Sequence, residues 1–169
     1  MHDVMICLVS EKDLKSKLIQ WITGSQYNHV FIEFHSGEWR GRQRIDITER
    51  GVIQLPVENQ PYNEQEVVRY RAKECIEKAI VARKDMIGNR YDWKGLFGGL
   101  VKMIVLRLFG RVITRPWHSK GRLFCSEYVA TLLGESDANN YSLDPWVSRP
   151  TDIMRYCRLN LNREQPLRE

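Results

Sequence analysis

The sequence predicts a chain that mixes strands and helices, with strands gathered in its first 72 residues and helices dominating the rest. Three observations carry this expectation. Met5-Ile6-Cys7-Leu8-Val9 is a short apolar run of the length and content of a buried strand. Residues 28–35 and 42–48 alternate with period two, as half-buried strands do. Beyond residue 74, apolar residues recur instead at helical spacing.

With 169 residues the chain has the length of one ordinary domain, and a single domain over 1–169 is expected. Its 43% hydrophobic and 28% charged residues match soluble globular proteins and speak against disorder or a fibrous architecture. The opening residues lack a basic region ahead of the apolar run, so they read as a first strand and not as a signal peptide. Cys7, Cys75, Cys125 and Cys157 lie far apart with no Cys-x-x-Cys spacing, which points to free thiols in a reducing cytoplasm. That spacing also leaves no metal site, and no cofactor is expected.

Taken in order, Ser10-x-x-Asp13 after the first strand resembles a helix start. Leu14, Leu18, Trp21 and Ile22 then follow at helical spacing, and Gly24 is placed to end the helix. In the next strand Val30, Ile32 and Phe34 share one face, whereas His29, Phe31, Glu33 and His35 share the other. Ser36-Gly37 supplies a turn, and Arg42–Thr48 returns with Gln43, Ile45 and Ile47 alternating with Arg44, Asp46 and Thr48. A hairpin carrying His29 results. Gly51 opens a further strand through Val57, and after a polar loop around Pro61 another covers Val67–Ala72.

A helix from Glu74 to about Ile87 is closed by Gly88-Asn89. Between Gly95 and Thr114 an apolar stripe includes Phe97, Val101, Ile104, Val105, Leu108 and Val112, interrupted by Lys102, Arg107 and Arg111. The interruptions rule out a spanning helix, which needs about 20 mostly apolar residues. Two readings stay open for 95–114: a core-packed helix beside a substrate groove, the commoner case, or peripheral contact with a membrane. A helix through Tyr128, Val129, Leu132 and Leu133 and a short one after Pro150 complete the chain, and the polar tail after Asn160 is expected to fray.

The net charge of +5 leaves room for an anionic partner, but 26 basic residues face 21 acidic ones. The clusters Arg40, Arg42, Arg44 and Lys102, Arg107, Arg111, Arg115 read first as solvated surface. No zinc-finger spacing, RNA-recognition signature or basic helical arm is present, and no nucleic acid is expected as partner.

Chemistry centres on Phe124-Cys125-Ser126-Glu127-Tyr128-Val129. A cysteine at a helix N-terminus meets backbone N–H groups that favour the thiolate and can donate to an oxyanion. A lone cysteine is more often a small buried hydrophobe, and Cys7 and Cys75 fit that description. A nucleophilic cysteine needs a base, for which histidine is suited near neutrality. His29 faces away from the apolar set of its strand, whereas His2 is terminal, His35 borders the turn and His118 lies in a Pro-Trp-His-Ser loop.

Asn28-His29-Val30-Phe31-Ile32-Glu33-Phe34, Gly51-Val52, Gly88-Asn89-Arg90-Tyr91-Asp92-Trp93, Phe124–Val129 and Ser148-Arg149-Pro150 follow one another in an order that resembles the circularly permuted papain-like cysteine hydrolases. The resemblance is to a bacterial or phage member of the permuted NlpC-type branch, akin to lecithin retinol acyltransferase-like proteins. It implies an α+β fold in which a small antiparallel β-sheet packs against helices, with Cys125 as nucleophile and His29 as general base. Tyr91 resembles the family tyrosine whose hydroxyl is expected near the oxyanion. Asp92 and Glu127 are candidates to order the site or bind a substrate amine, with a helix cap or a solvent-facing group as the alternative.

The family places a polar base-orienting group on the strand after the histidine. Here that strand offers Asp46, Gln43 and Arg42, and Asp46 ranks first because a carboxylate stabilises an imidazolium. Glu33 shares the face of His29 but lies roughly 13 Å along the strand. The implied activity is thiol cleavage of an amide, of peptide or peptidoglycan type. Lipid-ester cleavage or acyl transfer at a membrane surface is a second reading, and a non-catalytic phage or host-interaction binding protein is a third.

Overall fold

The computed structural model describes residues 4–35, 41–59, 61–63, 66–72, 74–110, 122–136, 143–145 and 148–164. The apolar run at the start forms β1 (Val4–Val9), every residue of which is buried because it is flanked on both sides. β2 (His29–His35) pairs with it antiparallel, matching Val9 with His29 and Val4 with Phe34. β3 (Arg42–Thr48) and β4 (Gly51–Pro56) extend the sheet on one side, and β5 (Val67–Arg71) extends it on the other.

The tail beyond Asn160 does not fray at once: β8 (Asn162–Arg163) pairs with β5, and an Arg71–Glu164 ion pair of 3.0 Å ties it down. Backbone pairing thus holds a segment whose side chains are all polar. The six strands run antiparallel in the order β4-β3-β2-β1-β5-β8. A separate two-stranded ladder joins β6 (Arg90–Tyr91) to β7 (Arg122–Leu123) in parallel.

Helices cover one face of the sheet. Ile6, Leu8, Val30, Ile32, Ile45 and Ile47 meet α2 (Glu74–Ala82), α4 (Cys125–Glu135) and α5 (Pro150–Asn160), with Tyr128, Leu132, Leu133 and Tyr156 at the centre of the core. The opposite face carries a smaller apolar cluster of Met5, Cys7, Val9 and Phe31, joined by Tyr62 and Val67, together with charged residues. The fold is therefore α+β, an antiparallel sheet packed against helices.

α1 (Leu14–Thr23) begins at Asp13, not at Ser10: the Asp13 carboxylate accepts the Ser16 N–H at 3.0 Å, and Gly24 ends the helix with φ 63°. Three of its apolar residues are turned outward, whereas the side chain of Ile22 falls outside the described residues. Leu14 is 86%, Leu18 55% and Trp21 64% exposed, whereas Ser16 is buried. The inward side is polar because Ser16 and Gln20 bond Glu11, Asp13, Ser10 and Gln26 at the junction of α1 with the sheet.

α3 (Trp93–Phe109) packs on α1 and buries the expected stripe only in part: Val101 and Val105 are half-buried, and Val112 falls outside the described residues. Ile104 and Leu108 are exposed, as are Leu106 and Phe109. The Ser36-Gly37 turn, Arg40, Arg111, Arg115 and His118 fall outside the described residues, as do the side chains of Cys75, Phe97 and Arg107. No helix among the described residues is long and apolar enough to cross a membrane.

Candidate active site

His29 opens β2 at one end of the sheet, and Asn28 fixes its approach. The Asn28 side chain accepts the Glu11 N–H at 2.9 Å and donates to Glu11 and Ser16, while its backbone N–H bonds Val9 O. The Asn28-His29 pair is thus a polar clamp followed by the residue it aims.

Period-two geometry puts Arg44 opposite Glu33, and Asp46 on the same face one step nearer His29. His29 Nε2 donates to Asp46 Oδ1 at 2.6 Å, a short charge-assisted bond with the carboxylate fully buried. Gln43, the other candidate, pairs with Phe34 on the helix-covered face, where it accepts from Gln54 Nε2 at 3.5 Å. One residue along the strand separates the two faces, which is why Asp46 reaches the imidazole and Gln43 does not.

Two further residues complete the surroundings of Asp46. Tyr62 donates its hydroxyl to Asp46 Oδ2 at 3.1 Å, and its ring lies 5.6 Å from His29 and stacks on Phe31 at 5.3 Å. Arg44 Nε lies 3.5 Å from Asp46 Oδ2, and its guanidinium sits 5.6 Å from the Phe31 and Tyr62 ring centres. Arg44 is only 1% exposed, so this member of the basic cluster is not solvated surface. Arg42 pairs with Glu33 at 2.8 Å, and Arg69 holds the same carboxylate at 3.0 Å.

Tyr62 gave no signal in sequence because it lies in an irregular loop without periodicity. Arg44 did carry one, since it shares the alternating set of Asp46.

Cys125 is the first residue of α4, after Phe124 in extended conformation. Glu127 accepts the Phe124 N–H at 3.4 Å, closing the helix start, and Ser126 Oγ donates to Ser148 O at 2.7 Å. Arg149 in turn accounts for the Ser148-Arg149-Pro150 motif: it bonds Asp152 within α5 and reaches Thr23 O at the end of α1. The start of α4 that carries the nucleophile candidate is thereby closed by Glu127 and tied to the Ser148 carbonyl.

Cys125 lies close enough to His29 to act on its titration, so the imidazole faces both Cys125 and Asp46. Burial alone would lower the basicity of His29. The negative charge of a Cys125 thiolate and the bonds to Asp46 and Cys125 outweigh it and raise the pKa to about 10. Burial likewise works against the Asp46 carboxylate, but His29, Arg44 and Tyr62 hold its pKa below the usual value.

Tyr91 pairs with Leu123, two residues before Cys125. Burial, and next the charge of Cys125, push its phenol up, so the hydroxyl stays protonated and able to donate. Gly51 supports this ladder. With φ 107°, a Cβ there would lie 2.2 Å from Asn89 O, the carbonyl that accepts the Val52 N–H at 2.9 Å.

Asp92 and Glu127, the candidates for binding a substrate amine, are 0% and 3% exposed, and the Asp92 N–H bonds Leu123 O. Such burial suits helix-cap and interior roles and leaves an incoming amine no open carboxylate. Glu127 is pushed up to about 7, by burial first and by the charge of Asp92.

The other described thiols differ in kind. Cys7 is fully buried and Cys157 is pushed up to about 12 by burial, which keeps both as inert thiols. Comparison with protein-family models and with curated protein sequences returns no match to this chain.

Proposed function

We propose that this chain is a thiol hydrolase of the permuted papain-like kind, which cleaves an amide through an acyl-cysteine intermediate. The observation that carries the reading is the contact of one imidazole with both a buried carboxylate and a helix-terminal cysteine. Nε2 of His29 is committed to Asp46, which leaves Nδ1 to exchange a proton with Cys125.

In the proposed reaction His29 takes the Cys125 proton, and the sulfur attacks the amide carbonyl carbon to form a C–S bond. The oxyanion is met by the Cys125 backbone N–H and the Tyr91 hydroxyl. The imidazolium then protonates the amine as the C–N bond breaks. Water, deprotonated by His29, attacks the thioester; the C–S bond breaks, the acid leaves and the thiol regains its proton. Asp46 holds the ring and stabilises its cationic form throughout. A peptide or peptidoglycan-type amide as substrate is supported by the resemblance of the motif series.

Alkylation by iodoacetamide followed by mass spectrometry tests the reading. Expected is labelling of Cys125 below pH 7, selective over Cys7 and Cys157, that collapses in His29→Ala. An ordinary thiol titration near pKa 8.5, indifferent to His29, would sink the proposal.

A further inference from the structure

Two helices distant in sequence turn large apolar side chains to solvent. On α1 these are Leu14, Leu18 and Trp21, a single face at positions i, i+4 and i+7, with the polar Ser16 turned inward. On α3, which packs against α1, they include Ile104, Leu108 and Phe109, the last two 70% and 69% exposed. An ordinary amphipathic helix does the reverse of α1, and a helix apolar on all sides is ordinarily buried in protein or in lipid. Burying these side chains would recover about 1.5–3 kcal/mol each, so their outward orientation favours an apolar partner.

The charge that the two helices carry in sequence indicates which partner. Between Leu14 and Thr23 there are two lysines and no acidic residue. From Trp93 to Phe109, the span of α3, there are three basic residues and again no acidic one, while the whole chain carries 21 acids. A second copy of the chain would set these like charges against each other. Nucleic acid would satisfy the charge but leave Leu18, Leu108 and Phe109 without an apolar partner. An anionic lipid surface meets both requirements, its headgroups matching the basic charge and its acyl region taking the apolar side chains. At 17 residues α3 is about 25 Å long and interrupted by Lys102 and Arg107, so it suits lying in the interface and not crossing the bilayer.

We propose that α1 and α3 form a docking face by which this protein attaches peripherally to anionic membranes, whether or not Cys125 is catalytic. Co-sedimentation of the full chain with vesicles of phosphatidylcholine alone, or mixed with phosphatidylglycerol, tests it. Expected is binding to the mixed vesicles and little to the neutral ones. The double variant Leu108→Asp with Phe109→Asp should weaken binding on the order of 10²-fold. Leu18→Asp should weaken it less. Both variants should keep the wild-type melting temperature and Cys125 alkylation rate, which separates loss of docking from loss of fold.

Absence of binding to the mixed vesicles would overturn the proposal. So would binding that both variants retain in full, since that would be charge attraction without the apolar face. Sedimentation velocity adds a third overturning result: a wild-type dimer that the double variant dissociates would make the face a self-interface.

Discussion

The two faces of the central sheet are built on opposite terms. The helix-covered face is almost wholly apolar, and Ile6, Leu8, Ile32 and Ile45 there are 0–1% exposed. The other face buries charge: Glu33 between Arg42 and Arg69, and Asp46 between His29, Arg44 and Tyr62. His29 stands where the faces meet, contacting Asp46 on one and Cys125, a member of the helix-side core, on the other. One face thus supplies stability from area removed from water, while the other spends some of it on a dry electrostatic environment for a single imidazole.

The sharpest way to break this contrast is to remove one charge. Asp46→Ala leaves Arg44 buried without its anion and should cost about 3–5 kcal/mol. It should also slow Cys125 alkylation on the order of 10²-fold. Ile32→Ala on the other face should cost a comparable 2–5 kcal/mol but leave the alkylation rate of the folded protein unchanged. Denaturant melts and labelling rates on the same samples check both. If the two variants slow labelling equally, the faces are not functionally distinct.

The pH dependence of stability sharpens the comparison further. His29 keeps its proton in the folded chain up to about 10, against 6.5 unfolded; the part of that rise owed to Cys125 moves a proton within the pair, and the part owed to Asp46 leaves the native state binding more protons between these values. Its contribution is complete below 6.5 and is lost as pH rises through 10. Asp46 acts in the other sense, contributing above 3.8 and losing that contribution as pH falls through its lower folded value. Chemical denaturation across pH should show both limbs, and His29→Gln should flatten the alkaline one.

The smallest expected effect is that of Tyr62→Phe, which deletes one of the hydrogen bonds to Asp46 and keeps the ring stack. About 1 kcal/mol of stability should be lost. The alkaline limb of Cys125 labelling should shift slightly while its selectivity over Cys157 persists. An unchanged melt and pH profile would mean that the hydroxyl does not support Asp46.

Much of this architecture was legible in the chain. Period-two alternation separated Val30 and Ile32 from His29, and the same rule set Asp46 apart from Gln43, because a strand offers only two faces. The αL cap at Gly24 and the helix start at Cys125 follow from local backbone chemistry.

What the sequence could not decide depends on distant segments. Tyr62 comes to Asp46 from an irregular loop, and the burial of Arg44 depends on the rings of Phe31 and Tyr62 and on Asn59 O. The tail strand at Asn162 exists only because β5 offers an open edge. The outward orientation of α1 was hidden for the same reason: periodicity reveals that a helix has an apolar side, but the choice of inward side was made by Glu11, Asp13, Ser16 and Asn28 bonding together. The sequence by itself determined the local elements and their two-sidedness, which arise from backbone geometry, and tertiary structure alone decided which side each element would bury.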